Sequence, residues 1–356
     1  MQDNYNPSKV VYVLIGLASF VIFVAGVRAA TEIVIPLLMA LFFTLIIFPV
    51  LHWSKKRSIP IWLAIMVTTL IIVFIFTLFF FILGSNVQVL AENIPAYHDL
   101  LEERWESVSI FWGDRGVDIS ILQISDLISS NVIKDYALEF LSILTLIIED
   151  GLLIFVLMIF MLFASSTFPT KVAAMSSNRK STLFVFDKII HMISHYMLIK
   201  TVISFITGLL VTLLLIILNI DHAIFWGFIA FALNYIPNIG SFLAALPVIF
   251  LTLIQFGFDR ALLTILGYVF INVIMGNVLE PRIMGKSTEL SVVFIFFSLI
   301  FWGWVLGPVG MFLSVPLTIV LKIVFEHFDS TRWLSILIGP DDALINNPVT
   351  KNLNVD

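Results

Sequence analysis

The sequence predicts an all-α polytopic membrane protein with about eight membrane segments. Of its 356 residues, 60% are apolar and only 12% are charged, and the mean hydropathy is +1.09. So few charges cannot cover the surface of a water-soluble protein of this size, so most side chains must face lipid or other helices. Long apolar runs supply the predicted spans, and two of these runs are broken at their centres by proline and glycine.

Residues 1–83 are predicted to form three transmembrane helices, from the apolar runs 10–27, 33–50 and about 60–83. The basic cluster at 52–57 lies between the second and third runs, and the positive-inside rule places it in the cytoplasm together with the N-terminus. The first run is too long for a cleavable signal, and Arg28 stands where a cleavage site needs small residues. We therefore predict an uncleaved first span.

Residues 84–141 form an acidic segment, in which Asp and Glu greatly outnumber Lys and Arg. Three spans from a cytoplasmic start place this segment outside, as a small helical extracytoplasmic module. Its apolar residues recur at helical spacing, for example Trp105, Val108 and Phe111, which favours amphipathic helices. No compact catalytic constellation is visible in it, so a structural or assembly role is expected.

Residues 142–164 form a fourth predicted span, which returns the chain to the cytoplasm, and 165–197 form a basic interfacial segment. Within that segment Asp187, His191 and His195 recur every four residues and share one helix face. Such a face could bind a metal or carry protons. It also fits the solvated side of an interfacial helix, which is the interpretation we favour, and we predict no metal site.

Residues 198–325 are predicted to form the transport core, followed by a cytoplasmic tail at 326–356. After a span at 198–218, the apolar run 223–256 is too long for one crossing and is broken by YIPNIGS, which predicts a re-entrant hairpin. A second broken run, at 290–324, is either another re-entrant hairpin or two full spans. The breaks PNIGSFLAALP and GPVGMFLSVP resemble each other, and as hairpins they would enter from outside and from inside respectively, by the count of spans. Two similar broken elements that enter from opposite faces are typical of inverted-repeat secondary transporters.

Between the two breaks lies GNVLEPRIMGK, where Glu280 and Arg282 flank a proline in an otherwise apolar region. These charges are costly at membrane depth unless they face a cavity or another protein surface. Glu280 could carry a proton or Na⁺, or could pair with Arg282 or Lys286. The segment could also be a simple turn at the cytoplasmic headgroups. The predicted solute or ion pathway comprises Asn234, Pro237, Asn238, Gly240, Ser241, Asn272, Asn277, Glu280, Pro281, Arg282, Gly307, Pro308 and Gly310.

Several functional classes are disfavoured by what the sequence lacks. It has no complete G-x-x-x-x-G-K-[ST] phosphate loop and no hydrolase signature, so we predict neither ATP-driven pumping nor enzymatic activity, and no catalytic residue is assigned. Cysteine is absent, and no basic face suits nucleic acid. No cofactor is predicted.

Four motifs resemble those of the autoinducer-2 exporter family: LNYIPNIGS at 233–241, NVLEPRIMGKS at 277–287, FWGW at 301–304 and LGPVG at 306–310. The similarity extends over nearly the whole chain. It implies a multi-pass transporter of the bacterial inner membrane that assembles as a homo-oligomer, expected to be a pentamer. The family is named for exporting a small, polar quorum-sensing signal, and some members resemble monovalent cation/proton antiporters.

Three functions are therefore considered. The first is export of a small polar metabolite or signal such as autoinducer-2, with Glu280 as coupling or gating group and the asparagines near the breaks as solute contacts. The second is Na⁺(Li⁺, K⁺)/H⁺ antiport through the same carboxylate. The third is a membrane scaffold that transports nothing and acts through the acidic outer module. The expected partners are the lipid bilayer and either the solute or a monovalent cation and proton.

Overall fold

The computed structural model describes residues 7–113, 150–165, 167–175, 179–237, 239–284 and 290–340. Every regular element in these ranges is helical, which confirms the predicted fold class. Within these described ranges, four helices are long and apolar enough to cross a membrane, and five shorter apolar helices accompany them. The total of about eight segments remains a prediction. The four long apolar helices lie at Thr31–Val50, Arg179–Ile217, Phe258–Met284 and Val292–His327.

The N-terminal part consists of α1 (Pro7–Ala29), α2 (Thr31–Lys56) and α3 (Ile61–Gly113). α3 has 53 residues, so it is about 80 Å long at about 1.5 Å per residue. It passes through Gly84 without a break, so the start of the predicted acidic module shares a helix with the third predicted span. Residues 114–149, which include the rest of that module, lie outside the described residues.

The middle of the chain forms α4 (Asp150–Ala164), α5 (Phe168–Met175) and α6 (Arg179–Ile217). α6 joins the predicted interfacial segment to the fifth predicted span in one helix of 39 residues. Its exposed side carries the predicted polar face, on which the His191 and His195 rings stack with centroids 6.1 Å apart. Among the described residues, no group of three or more potential ligands is placed to hold a metal ion.

The first broken run folds as two helices, α7 (Ala223–Leu233) and α8 (Gly240–Phe256), which pack against each other. α9 (Phe258–Asn272) follows and continues without a gap into a π-helix, π1 (Val273–Leu279), and a final turn, α10 (Glu280–Met284). α6 packs closely on α7 because both helices have glycine where they cross. A Cβ on Gly208 would lie only 2.6 Å from the Gly227 carbonyl oxygen.

The second broken run folds as α11 (Val292–His327), which is interrupted at Gly307, and α12 (Arg332–Ile338) follows it. Gly307 has φ 65° and ψ −152°, a conformation that is essentially restricted to glycine. The two halves fold back on each other, since the Ser298 hydroxyl donates to the Ser314 carbonyl oxygen at 2.8 Å. In a continuous helix these residues would lie about 24 Å apart. The chain reverses direction at Gly307 in either predicted arrangement of the second break, one re-entrant hairpin or two short spans.

The chain divides into two compact units, one formed by residues 44–288 and the other by residues 1–43 with 289–356. Unit 44–288 has a core from α6, α7, α8, α9 and π1, with Phe225, Val248 and Leu215 almost inaccessible to solvent. In the other unit α1 packs on α11, where Phe20 stacks on Phe301 and Arg28 lies over the Trp304 ring.

Candidate functional site

One side of α6 carries a buried polar stripe. Lys200, Ser204, Thr207 and Gly208 follow the i, i+4, i+7, i+8 spacing of one helix face, and all four are buried. A polar group removed from water costs free energy unless it has a partner, and in an apolar protein this cost is a strong constraint. The partners of this stripe therefore define the polar interior of unit 44–288.

Lys200 pairs with Glu280. Its Nζ donates to Glu280 Oε1 at 2.6 Å, and the two side chains are 4% and 20% exposed respectively. The predicted alternative that Glu280 pairs with Arg282 is wrong, because Arg282 is exposed and the acid turns to α6. Lys286, the other predicted partner, lies outside the described residues. The pair joins the middle of α6 to the start of α10.

Sequence reasoning missed Lys200, which stands 80 residues before its partner. One signal could have found it, since Lys200 is the only charged residue in the predicted span 198–218. A lone lysine inside an apolar span requires a counter-charge from another segment.

The turn between α7 and α8 provides the second set of partners. Asn234 Nδ2 donates to Ser204 Oγ at 2.9 Å, and Asn234 Oδ1 accepts from Ser241 Oγ at 2.9 Å. The Tyr235 hydroxyl donates to Thr201 Oγ1 at 2.8 Å. The predicted residues Asn234 and Ser241 are thus brought together, while Asn238 lies outside the described residues. Both side-chain groups of Asn234 are satisfied, as expected for a buried amide.

The turn depends on Gly240, the first residue of α8. A Cβ at this position would lie 1.8 Å from the Leu233 carbonyl oxygen, so the two helices can meet here only through glycine. Pro237 lies within the turn and is half-buried. The resemblance between the two breaks extends to this contact, since a Cβ on Gly310 would lie 1.9 Å from the Trp302 carbonyl oxygen.

Gly307, Pro308 and Gly310 belong to the other unit and are described within it. Gly307 makes the reversal of α11, Pro308 is the exposed residue that begins its second half, and Gly310 is buried against the first half. Proline is favoured at the first position of a helix, because its missing N–H has no acceptor there in any case.

The segment before Glu280 is a π-helix, in which the Glu280 N–H bonds to the Met275 carbonyl, five residues back. A proline in an α-helix clashes with the carbonyl four residues earlier, so the wider turn explains how Pro281 fits without ending the helix. A turn at 276–286 was one prediction, but residues up to Met284 are helical. Short π-helical segments are frequent at functional sites.

The remaining predicted residues of this segment lie around that widened turn. Asn272 ends α9 and is half-buried, whereas Asn277, Pro281 and Arg282 are exposed. None of these four takes part in the hydrogen bonds that surround Lys200 and Asn234. Tyr196 is buried one turn before Lys200 on α6 and lies near Glu280 and Tyr235.

A second polar cluster lies where α6 ends. His222 Nδ1 is 2.8 Å from Asn86 Oδ1 of α3, and Gln255 Nε2 donates to Asp221 Oδ2 at 2.7 Å. Gln255 also approaches the Tyr97 hydroxyl, at 3.4 Å. Burial, and then the nearby Asp221 carboxylate, raise the pKa of Tyr97. These contacts hold the long α3 against the turn that joins α6 to α7.

The surfaces of these helices are apolar. Phe205, Ile217, Phe242 and Phe270 have more than 60% of their side-chain surface exposed, which is unusual for a protein in water. Together with the four long apolar helices and the buried polar interior, this defines an integral membrane protein whose polar groups face inward.

The chain belongs to the AI-2E transporter family, whose model matches residues 17–330. It is 38% identical over 327 residues to the AI-2 transport protein TqsA of Escherichia coli K12, covering 92% of this chain and 95% of that protein. It is also 34% identical over 348 residues to a Haemophilus influenzae protein whose name proposes transport without naming a solute, covering 95% and 98% of the two chains. The predicted resemblance is confirmed.

Proposed function

We propose that this protein is a secondary transporter of the bacterial inner membrane that exports a small polar metabolite or signal such as autoinducer-2. The observation that carries the proposal is the buried polar interior of unit 44–288, in which Lys200–Glu280 and Asn234–Ser204 join three separate segments of an otherwise apolar protein. The similarity to a protein named for AI-2 transport makes autoinducer-2 the first solute to test.

The hydrogen bonds of the α7–α8 turn suggest how a solute would be accepted. Asn234 bonds to both Ser204 and Ser241, so a solute that offers hydroxyl and carbonyl oxygens can replace these two bonds one for one. Each such bond contributes only about 1 kcal/mol net, so the exchange is nearly balanced. Movement of the α7–α8 hairpin would then transfer the solute, with Glu280 as the coupling or gating group.

The two other functions lead to different expectations. Cation/proton antiport would require a monovalent cation to reach Glu280, where the Lys200 ammonium already neutralises the carboxylate. A scaffold that transports nothing would depend on the acidic segment, so deletion of residues 92–139 would abolish its effect and Glu280→Gln would not. Assembly as a homopentamer with cytoplasmic termini belongs to the proposal.

The proposal is tested with the purified protein in liposomes. Uptake of labelled autoinducer-2 is measured with and without a pH gradient, and in parallel Na⁺, Li⁺ or K⁺ is pulsed while internal pH is followed. The wild type is compared with Glu280→Gln and with Asp259→Asn, a matched control that neutralises an exposed carboxylate in the same helical segment. Autoinducer-2 uptake that is lost only in Glu280→Gln supports export. A cation-driven pH change lost only in that variant would instead establish antiport.

A further inference from the structure

The Lys200–Glu280 pair presents no net charge to a solute. Lys200 stands in the middle of the 39-residue α6 and its side chain is almost completely buried, so the ammonium is fixed in place. Glu280 follows a π-helix and begins a helix of only five residues. The positive charge is therefore the more deeply buried of the two, and the negative charge lies at a π-helical segment of a kind that is frequent at functional sites.

We propose that Lys200 determines solute specificity, because its ammonium occupies the position from which a monovalent cation would bind Glu280. The site therefore excludes monovalent cations and accepts uncharged polar solutes. This inference rests on the proposed transport function and names the class of solute.

The Lys200 ammonium opposes cation binding by electrostatic repulsion. A cation bound to the Glu280 carboxylate would lie beside the Lys200 ammonium, which is 2.6 Å from one oxygen of that carboxylate. At a separation of about 4 Å and an effective dielectric constant of about 20, the repulsion weakens cation binding roughly a thousandfold. An uncharged solute is not subject to this penalty.

The neighbouring side chains Tyr196, Tyr235 and Arg282 bring no further negative charge to the pair. Tyr196 interacts with Glu280 from α6, and Tyr235 faces the same region from the α7–α8 turn with its hydroxyl donated to Thr201. Both are phenols, which are uncharged at neutral pH. The exposed Arg282, two residues after Glu280, adds a further positive charge. The carboxylate of Glu280 is thus paired with the Lys200 ammonium, which neutralises it.

A charge series at the two positions tests this inference. Lys200→Met leaves the carboxylate unpaired, Lys200→Met/Glu280→Gln removes both charges, Lys200→Glu/Glu280→Lys exchanges them, and Lys200→Arg keeps the positive charge. Uptake of radioactive Na⁺ into liposomes is measured for each, as is thermal stability in detergent in NaCl or LiCl against choline chloride at equal ionic strength. Choline chloride controls for general salt screening.

Only Lys200→Met is expected to gain cation binding. Its Na⁺ uptake should exceed that of the wild type at least tenfold, and NaCl should raise its melting temperature relative to choline chloride. The wild type, Lys200→Arg and the two double variants should show neither effect. The proposal is overturned if the wild type takes up Na⁺ as fast as Lys200→Met, or if folded Lys200→Met does not respond to Na⁺ or Li⁺.

Misfolding of Lys200→Met is also informative. Recovery of the folded variant in Na⁺ or Li⁺ supports the proposal, because the cation then replaces the ammonium. The proposal is overturned if Lys200→Met is not recovered by Na⁺ or Li⁺ while Lys200→Met/Glu280→Gln folds. Autoinducer-2 uptake by the wild type is measured in the same liposomes. A lack of that uptake contradicts the proposed export. The Na⁺ results then still decide, independently, whether Lys200 excludes cations.

Discussion

The side-chain amide of Asn234 donates a hydrogen bond to the hydroxyl of Ser204, 2.9 Å away. This bond fastens the turn between α7 and α8 to the middle of α6, one helical turn beyond Lys200. Because Asn234 also accepts from Ser241, the amide connects three helical elements through one side chain. The glycine-dependent turn and the ion pair on α6 are thus neighbouring parts of one polar interior.

Asn234→Leu is expected to destabilise the protein by about 1–3 kcal/mol, because it leaves the buried Ser204 hydroxyl and the half-buried Ser241 hydroxyl without their partner. Autoinducer-2 uptake should fall as well, since the amide is a proposed solute contact. Ser241→Ala removes only one of the bonds and should cost less. Thermal unfolding in detergent and liposome uptake check both effects, and an Asn234→Leu variant with wild-type values in both would contradict the assignment.

The ion pair should show an asymmetric response to neutralisation. Glu280→Gln leaves the nearly inaccessible Lys200 ammonium unpaired, whereas Lys200→Met leaves a carboxylate that is 20% exposed. Removal of one partner of a buried pair costs about 3–5 kcal/mol, and partial exposure lowers this cost for the carboxylate. Melting temperatures should therefore fall more for Glu280→Gln than for Lys200→Met, measured in choline chloride, and the double variant should recover most of the loss. An additive double variant would show that the charges are not coupled.

The two glycines that contact a preceding carbonyl should not tolerate a methyl group. In Gly240→Ala and Gly310→Ala the new Cβ would lie 1.8 Å and 1.9 Å from a backbone oxygen, so helices must move apart. We expect both variants to yield less folded protein in detergent. Size-exclusion chromatography and thermal unfolding measure this loss. Gly26→Ala is the matched control, because no atom lies within 4 Å of its added Cβ. If all three variants gave the same amount of folded protein and the same melting temperature, the close helix contacts at Gly240 and Gly310 would be refuted.

Gly307→Ala tests backbone strain in the absence of a clash. Nothing lies within 4 Å of a Cβ added at Gly307, yet its φ of 65° with ψ of −152° is disfavoured for any residue with a side chain. The expected cost is about 1–3 kcal/mol, seen as a lower melting temperature. A change that leaves the melting temperature unaltered would mean that the reversal in α11 does not require this conformation.

The sequence by itself determined the class of the protein and the positions of its breaks. Low charge and long apolar runs indicate an all-helical membrane protein, because an apolar run of about 20 residues crosses a bilayer as a helix that satisfies its own backbone hydrogen bonds. Proline and glycine mark the α7–α8 turn and the reversal at Gly307, because few other residues adopt such local geometry. Family motifs then identified the chain as a transporter of the AI-2E family.

Only the tertiary structure decided which polar groups meet. Glu280 pairs with Lys200 rather than with its near neighbour Arg282, because the packing of α6 against α10 brings together residues that lie 80 apart in sequence. Local patterns report which face of a helix is buried, but not what another segment places opposite it. The π-helix that accommodates Pro281 was equally invisible, since a proline in a sequence predicts a break whether or not a wider turn absorbs it.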